Sequence, residues 1–184
     1  EDKLEILSSK ITNSEFKLNC ITEINPKDNT TLEGLYLSEG IYCTQCEPEG
    51  FRKITYFLDR PDVMTKFKVR IEGNYKFLLS NGNLISQGQG WAEWNDPWPK
   101  PSYLFALVAG NLKVIEDEFV SMTNKKILLQ IYVEEGNEDK CEHAMNSIKK
   151  CMKWDEEIYN REYDLERFMV CLLYTSDAAD DEER

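Results

Sequence analysis

The residues best suited to chemistry crowd into one short stretch, Cys43-Thr44-Gln45-Cys46-Glu47-Pro48-Glu49. A Cys-x-x-Cys pair can ligate a metal or cycle between dithiol and disulfide. A structural zinc site needs a second such pair or two histidines. The remaining cysteines stand apart at 20, 141, 151 and 171, and His143 is the single histidine. A redox pair is expected to open a helix within a βαβ unit, whereas the flanking patterns here are strand and loop. Reduced thiols, as in a cytosolic protein, are therefore expected. The carboxylates beside the pair offer different chemistry. Glu47 can accept a charge-assisted hydrogen bond from a cation, or serve as a solvated loop acid next to Pro48. By residue type alone the solvated reading is the simpler one for Glu47 and Glu49, and Gln45 suits a loop hydrogen bond equally well.

The elements that must hold this stretch read as β over the first two thirds of the chain. Phe67, Val69 and Ile71 alternate with Lys66, Lys68, Arg70 and Glu72, a period of two that gathers apolar side chains on one face. Phe16, Leu18 and Cys20 alternate similarly, as do Ile54, Tyr56 and Leu58 before the turn at Asp59-Arg60-Pro61-Asp62. Asp59 is suited to accepting backbone hydrogen bonds across that turn, with Arg52, Arg60 and Asp62 as further turn-stabilising charges. Phe77–Leu79, Ser80-Asn81-Gly82-Asn83 and Leu84-Ile85 predict a hairpin through Asn-Gly. The proline-rich run 91–101 predicts an ordered loop, because proline cannot donate to a ladder. Tyr103 to Ala109 then predicts a strand buried on both faces.

Beyond Gly110 and Asn111 the pattern changes. Lys126–Val133 predicts a strand, and about Glu138 to Tyr159 a helix with the apolar stripe Cys141, Ala144, Met145, Ile148, Cys151, Met152. Asn137 is the expected N-cap, and Glu138 and Asp139 suit the positive end of the helix dipole. Tyr163 to Val170 predicts a further strand. His143 falls off the stripe, on the helix surface. The last residues, small and acidic, predict a disordered or foreign tail.

Composition excludes more than it identifies. The 184 residues are 41% hydrophobic and include 4 Trp, 9 Tyr and 8 Phe, enough for a packed core. A formal charge of -12 opposes the phosphate neutralisation that nucleic-acid binding requires, and likewise disfavours anionic membrane surfaces. No run approaches the apolar length needed to span a bilayer, and Glu1-Asp2-Lys3-Leu4 carries no secretory signal. A cytoplasmic location is expected.

Three stretches carry a resemblance to a known family: Cys43 through Val63, Leu78-Leu79-Ser80-Asn81-Gly82-Asn83, and Lys100 through Gly110. With Tyr132-Val133, Met152 through Glu157 and Glu162 through Leu165, in collinear order, they resemble the amino-terminal region of the aminopeptidase N family of zinc metallopeptidases (gluzincins), bacterial-type alanyl aminopeptidase and its protozoan relatives. The resemblance implies a mainly β chain. Residues 1–111 would form a saddle-like β-sandwich domain, 112–170 the first α+β elements of a thermolysin-like catalytic domain, and 171–184 the tail. A second unit so begun is expected to leave the helix stripe through Ala144, Ile148 and Met152 without partners.

The resemblance also implies roles. Glu47 would bind the free α-amino group of a peptide substrate, and Gln45 would line the pocket for its first side chain. Holding the terminal ammonium would set the distance to the scissile carbonyl, so that one residue is released at a time. Zinc would be held in the full-length enzyme by a His-Glu-x-x-His motif and a distal glutamate, and a Gly-Ala-Met-Glu-Asn motif would share the amino-group contact. Neither motif is present here, so the chain contributes no catalytic or metal residue and is expected to be inactive without the missing catalytic and carboxyl-terminal domains. The rival expectation is a non-catalytic β-sandwich module that binds a carbohydrate or a protein partner through Trp91, Trp94 and Trp98.

Overall fold

A computed structural model describes residues 3–6 and 15–172. Its ten strands and one long helix run β1 (Gly34–Ser38), β2 (Ile41–Gln45), β3 (Thr65–Glu72), β4 (Phe77–Ser80), β5 (Asn83–Gly88), β6 (Trp91–Lys100), β7 (Leu107–Gly110), β8 (Lys113–Val120), β9 (Lys126–Val133), α1 (Cys141–Tyr159) and β10 (Arg167–Leu172). They form a four-stranded sheet β1-β2-β7-β4, a three-stranded sheet β3-β6-β5, and a three-stranded sheet β10-β9-β8. The mainly β architecture agrees with the sequence reading.

The first two sheets are antiparallel throughout and share one core of Ile41, Ile71, Leu78, Leu79, Ala92, Trp94 and Ala109. Trp94 lies at its centre, 1% exposed, and its indole N–H donates to the Leu78 carbonyl at 2.8 Å. The alternation read in 65–72 holds: Phe67, Val69 and Ile71 face inward from β3 and the charged residues face water.

Several local expectations fail, each for a physical reason. The Asn81-Gly82 turn is not a hairpin, because β4 pairs with β7 while β5 pairs with β6, so the turn carries the chain between sheets. Gly82 is required there: its φ is +87°, and an added Cβ would lie 2.2 Å from the Asn95 carbonyl oxygen. The run 91–101 is not a loop but mostly strand β6. Its prolines fit because the register to β3 jumps from Asp96↔Phe67 to Lys100↔Thr65, and pairing with β5 ends at Asn95. Pro97 and Pro99 thus occupy positions where no ladder N–H is needed. Ile54 to Leu58 is not a strand but irregular chain after a short 3-10 turn at Phe51–Lys53. Phe16 to Cys20 is exposed and irregular too, since its alternation finds no sheet to pair with.

In the final third, β9, α1 and β10 form a βαβ unit with β10 parallel to β9, and β8 adds antiparallel to the other side of β9. The residues of β9 divide between two cores. Ile127, Leu129, Ile131 and Val133 pack with Cys141, Met145 and Met152 of α1, while Tyr132 joins the sandwich core together with Leu112, Met169 and Cys171. The helix stripe therefore has partners within the chain: Met152 is buried, and Ala144 and Ile148 pack against the same cluster. Cys151 departs from the expected stripe and is exposed. Asn137 precedes a 3-10 turn, Glu138–Lys140, and makes no side-chain cap; Lys140 occupies the N-cap of α1. The expected strand 163–170 begins later, at Arg167, and Tyr163 instead donates through its hydroxyl to the Arg167 carbonyl at 3.1 Å. The tail expected at 171–184 lies, from residue 173 on, outside the described residues.

Candidate functional site

Strand β2 brings the chemically distinctive stretch to the end of the four-stranded sheet. Backbone pairing of β2 with β7 covers Tyr42 and Cys43, and the Thr44 hydroxyl then accepts from the Leu107 N–H at 2.9 Å. Gln45, the last residue of β2, is exposed, as are Glu47, Pro48 and Glu49; Cys46, Gly50 and Phe51 are buried. Glu47 thus sits on a projecting tip whose two feet are sunk in the protein. The Glu47–Pro48 peptide is cis. Among the described residues Glu47 has no ion-pair partner, whereas Glu49 lies 3.3 Å from the Arg52 guanidinium.

The feet are closed by a turn in which the Gly50 N–H donates to the Cys46 carbonyl at 2.8 Å. Phe51 enters a cluster of edge-on rings, 5.1 Å from Phe57, 5.8 Å from Phe67 and 5.1 Å from Phe105, a packing mode that aromatic quadrupoles favour. Asp59, 5% exposed, accepts from the Arg52 backbone N–H at 3.0 Å, and one of its oxygens also accepts from the Ser102 hydroxyl. Arg52 donates in turn to the Asp59 carbonyl at 2.8 Å. Asp59 was expected to accept backbone hydrogen bonds across the 59–62 turn; its carboxylate instead turns back to the Arg52 N–H, seven residues earlier. Its link to Ser102, 43 residues away, has no signal in local sequence.

The two thiols flanking Gln45 are inert. Cys43 and Cys46 are free and 3% exposed. Burial pushes the Cys46 thiol up to about 12, with the Asp59 and Glu47 charges adding to the effect, and burial raises Cys43 as well. Thiolate, the nucleophilic and metal-binding form, is therefore suppressed at both. Among the described residues no group of three or more His, Cys, Asp or Glu is arranged to hold a metal ion, so zinc does not fit the residues present. Also among the described residues, no helix is long and apolar enough to cross a membrane.

The tryptophan platform is not formed. Trp94 points into the core from β6, whereas Trp91, three positions away, faces outward under the Arg70 guanidinium at 4.3 Å, and Trp98 is half exposed. A cavity of about 320 Å³ lies elsewhere, between the sandwich and β10, lined by Leu79, Asp96, Lys100, Tyr132, Arg167 and Cys171 among others. Its charged groups are already engaged, Asp96 with Lys100 and Arg167 with Gln130 at 3.0 Å.

A family model described as the Peptidase M1 N-terminal domain matches residues 3–104. The chain is 52% identical over 162 residues to aminopeptidase N of Caulobacter vibrioides and 51% identical over 163 residues to aminopeptidase N of Escherichia coli. Each match covers 84% of this chain and 19% of the relative, so the chain spans about a fifth of their length. Among solved structures, aminopeptidase A of Legionella pneumophila in complex with aspartic acid is similar with a TM-score of 0.73 and 40% identity, over 78% of this chain and 18% of that one. An M1 zinc metallopeptidase of Deinococcus radiodurans bound to a Tyr-Ser-Ala substrate matches with a TM-score of 0.65 and 18% identity, over 77% of this chain and 34% of that one, a likeness of fold. The matched span of the family model takes in more than half of the 184 residues, and the chain accordingly belongs to the Peptidase M1 N-terminal domain family.

Proposed function

We propose that this chain is the amino-terminal part of a zinc-dependent aminopeptidase that releases amino-terminal residues from peptides, and that its own contribution is the anchor for the substrate's free α-amino group. The observation that carries the reading is Glu47: an exposed carboxylate without an ion-pair partner among the described residues, on a tip with buried feet, in a chain of this family. A carboxylate carried on a backbone segment anchored at both ends offers an ammonium a charge-assisted hydrogen bond with less of the chain left to order on binding. Gln45, exposed at the end of β2 two residues before Glu47, lines the pocket for the substrate's first side chain.

The partners are peptides with a free amino terminus, together with the catalytic and carboxyl-terminal domains that complete the enzyme. Those domains hold the zinc, which would activate water for attack on the scissile carbonyl. Residues 1–111 form the substrate-anchoring sandwich and 112–170 the opening of the catalytic unit, and the protein works in the cytoplasm. The 184-residue chain alone is inactive, and release of an amino-terminal residue by purified, protease-free chain would overturn that part of the reading. The test of the anchor is Glu47→Ala in the enzyme-length protein. Loss of one hydrogen bond between charged groups predicts a KM for free-amine substrates raised about 10- to 100-fold. An unchanged KM removes the anchor role.

A further inference from the structure

Glu47 gains its position from residues that never touch it. Its tip leaves β2 at Cys46 and re-enters the protein at Gly50 and Phe51. The first backbone N–H after Phe51, that of Arg52, is taken by one Asp59 carboxylate oxygen, and the other oxygen takes the Ser102 hydroxyl. Ser102 opens the 3-10 turn Ser102–Leu104 that leads into β7, and β7 pairs with β2, which begins the tip. The carboxylate thus closes a ring: β2, tip, Phe51–Lys53 turn, Asp59, Ser102, β7 and back to β2. Asp59 and Ser102 are 5% and 1% exposed, so water cannot readily replace either link.

A buried carboxylate is costly unless its acceptors are filled. Here both oxygens are filled, by donors from two segments that must stay in register for the tip to stand where it does. A purely apolar core could hold the Phe51 side chain but would fix neither the Arg52 N–H nor the direction in which the tip leaves it. We infer that Asp59, with Ser102 as its second link, is a positioning residue for substrate amino-group recognition, holding the Glu47 tip at the height at which an ammonium is bound. The inference rests on the reading of Glu47 given above.

The test uses the enzyme-length protein with Asp59→Ala, Asp59→Asn and Ser102→Ala, each also combined with Glu47→Ala. Asp59→Ala is expected to raise KM for a free-amine peptide about tenfold while kcat changes less than about threefold, because the anchor is displaced and the reacting groups are not. Asp59→Asn is expected to recover most of that loss, since its amide oxygen still accepts from the Arg52 N–H and its NH2 can donate to the Ser102 hydroxyl. In the Glu47→Ala background Asp59→Ala adds less than about twofold, as expected when one residue acts through the other.

Hydrogen exchange supplies the readout that separates a displaced tip from a lost fold. The Gly50 N–H, bonded to the Cys46 carbonyl, is expected to exchange about tenfold faster in Asp59→Ala, while amides of β2 and β7 stay protected. If β2 and β7 amides also lose protection, Ser102→Ala, which leaves the Arg52 link intact, decides by the same KM comparison. KM unchanged in both Asp59→Ala and Ser102→Ala, with Glu47→Ala still impaired, overturns the positioning role. So does an undiminished effect of Asp59→Ala in the Glu47→Ala background. An unimpaired Glu47→Ala overturns instead the anchor reading on which the inference rests.

Discussion

Replacing Gly50 by alanine tests how tightly the tip is built. An added Cβ would lie 2.4 Å from the Gln45 carbonyl oxygen, 2.9 Å from the Cys46 Cα and 3.2 Å from the Gly34 nitrogen. All three are backbone atoms, so no rotamer change relieves the contact, and the Gln45–Glu47 segment itself must move. The backbone is not the obstacle, since φ at Gly50 is -85°, a value alanine adopts freely. Overpacking of this kind costs about 1–3 kcal/mol, and weakening the Gly50–Cys46 turn bond adds about 1 kcal/mol. Alanine restricts the unfolded chain and returns about 0.4–1 kcal/mol. The net loss is about 1–3.6 kcal/mol, a fall in Tm of about 2–14 °C for a chain of this size. Scanning calorimetry of the purified chain reads it directly, with Glu49→Ala as the control. That variant loses only an exposed ion pair and is expected to shift Tm by no more than about 1 °C. If Gly50→Ala melts within about 1 °C of the parent, the tip is softer than its contacts imply and the ring through Asp59 constrains little.

The remaining predictions concern the core and alkaline pH. Trp94→Phe removes the donor to the Leu78 carbonyl and part of a fully buried ring, and is expected to cost about 2–4 kcal/mol in urea unfolding; a loss below about 1 kcal/mol would contradict the central place given to that ring. Burial raises Cys46, Tyr132, Tyr163 and Cys171 to about 12 from usual values of 9.0 for thiol and 10.0 for phenol. These groups favour the folded state fully below about pH 9, and that contribution disappears as pH rises toward 12, because the unfolded chain ionises first. The urea midpoint is therefore expected to fall steadily between pH 9 and 12, and a flat midpoint across that window would refute the assignment.

Sequence legibility followed how local each cause was. Strand β3 was readable because its alternation is written in consecutive residues, and β9 and α1 because an apolar run and a stripe each complete themselves within one element. Strand β6 was not, because proline reads as a breaker unless the partner's register is known, and the shift between Thr65 and Phe67 is a property of the pair. The Asn81-Gly82 turn failed similarly: Gly82 does adopt positive φ, but which sheet the next strand joins is decided by burial of Leu78, Leu79 and Trp94 together. Strand β8 has no legible pattern of its own, because its acidic stretch Glu116-Asp117-Glu118 masks the pairing with β9. At the candidate site, Gln45 and Glu47 came from family resemblance, since an exposed glutamate beside a proline has no distinguishing pattern of its own. The buried Asp59–Ser102 link joins residues too far apart in sequence for any spacing to reveal.

The division of β9 between two cores has a practical consequence for swapping parts among members of this family. Tyr132 packs edge-on against Phe77 with ring centres 5.0 Å apart, and its hydroxyl donates to Gln130, which also accepts from Arg167. A chimaera joined at residue 111 would therefore place one parent's Phe77 and Trp94 against the other parent's Tyr132, Arg167 and Met169. The covalent junction would be intact while the mismatch lay some twenty residues or more downstream of it, on the inner face of a sheet. Grafts that carry β9 and β10 along with the sandwich are expected to fold where grafts ending at the loop do not. Recombination libraries scored for soluble expression should find their tolerated crossovers after Leu172 rather than at Asn111.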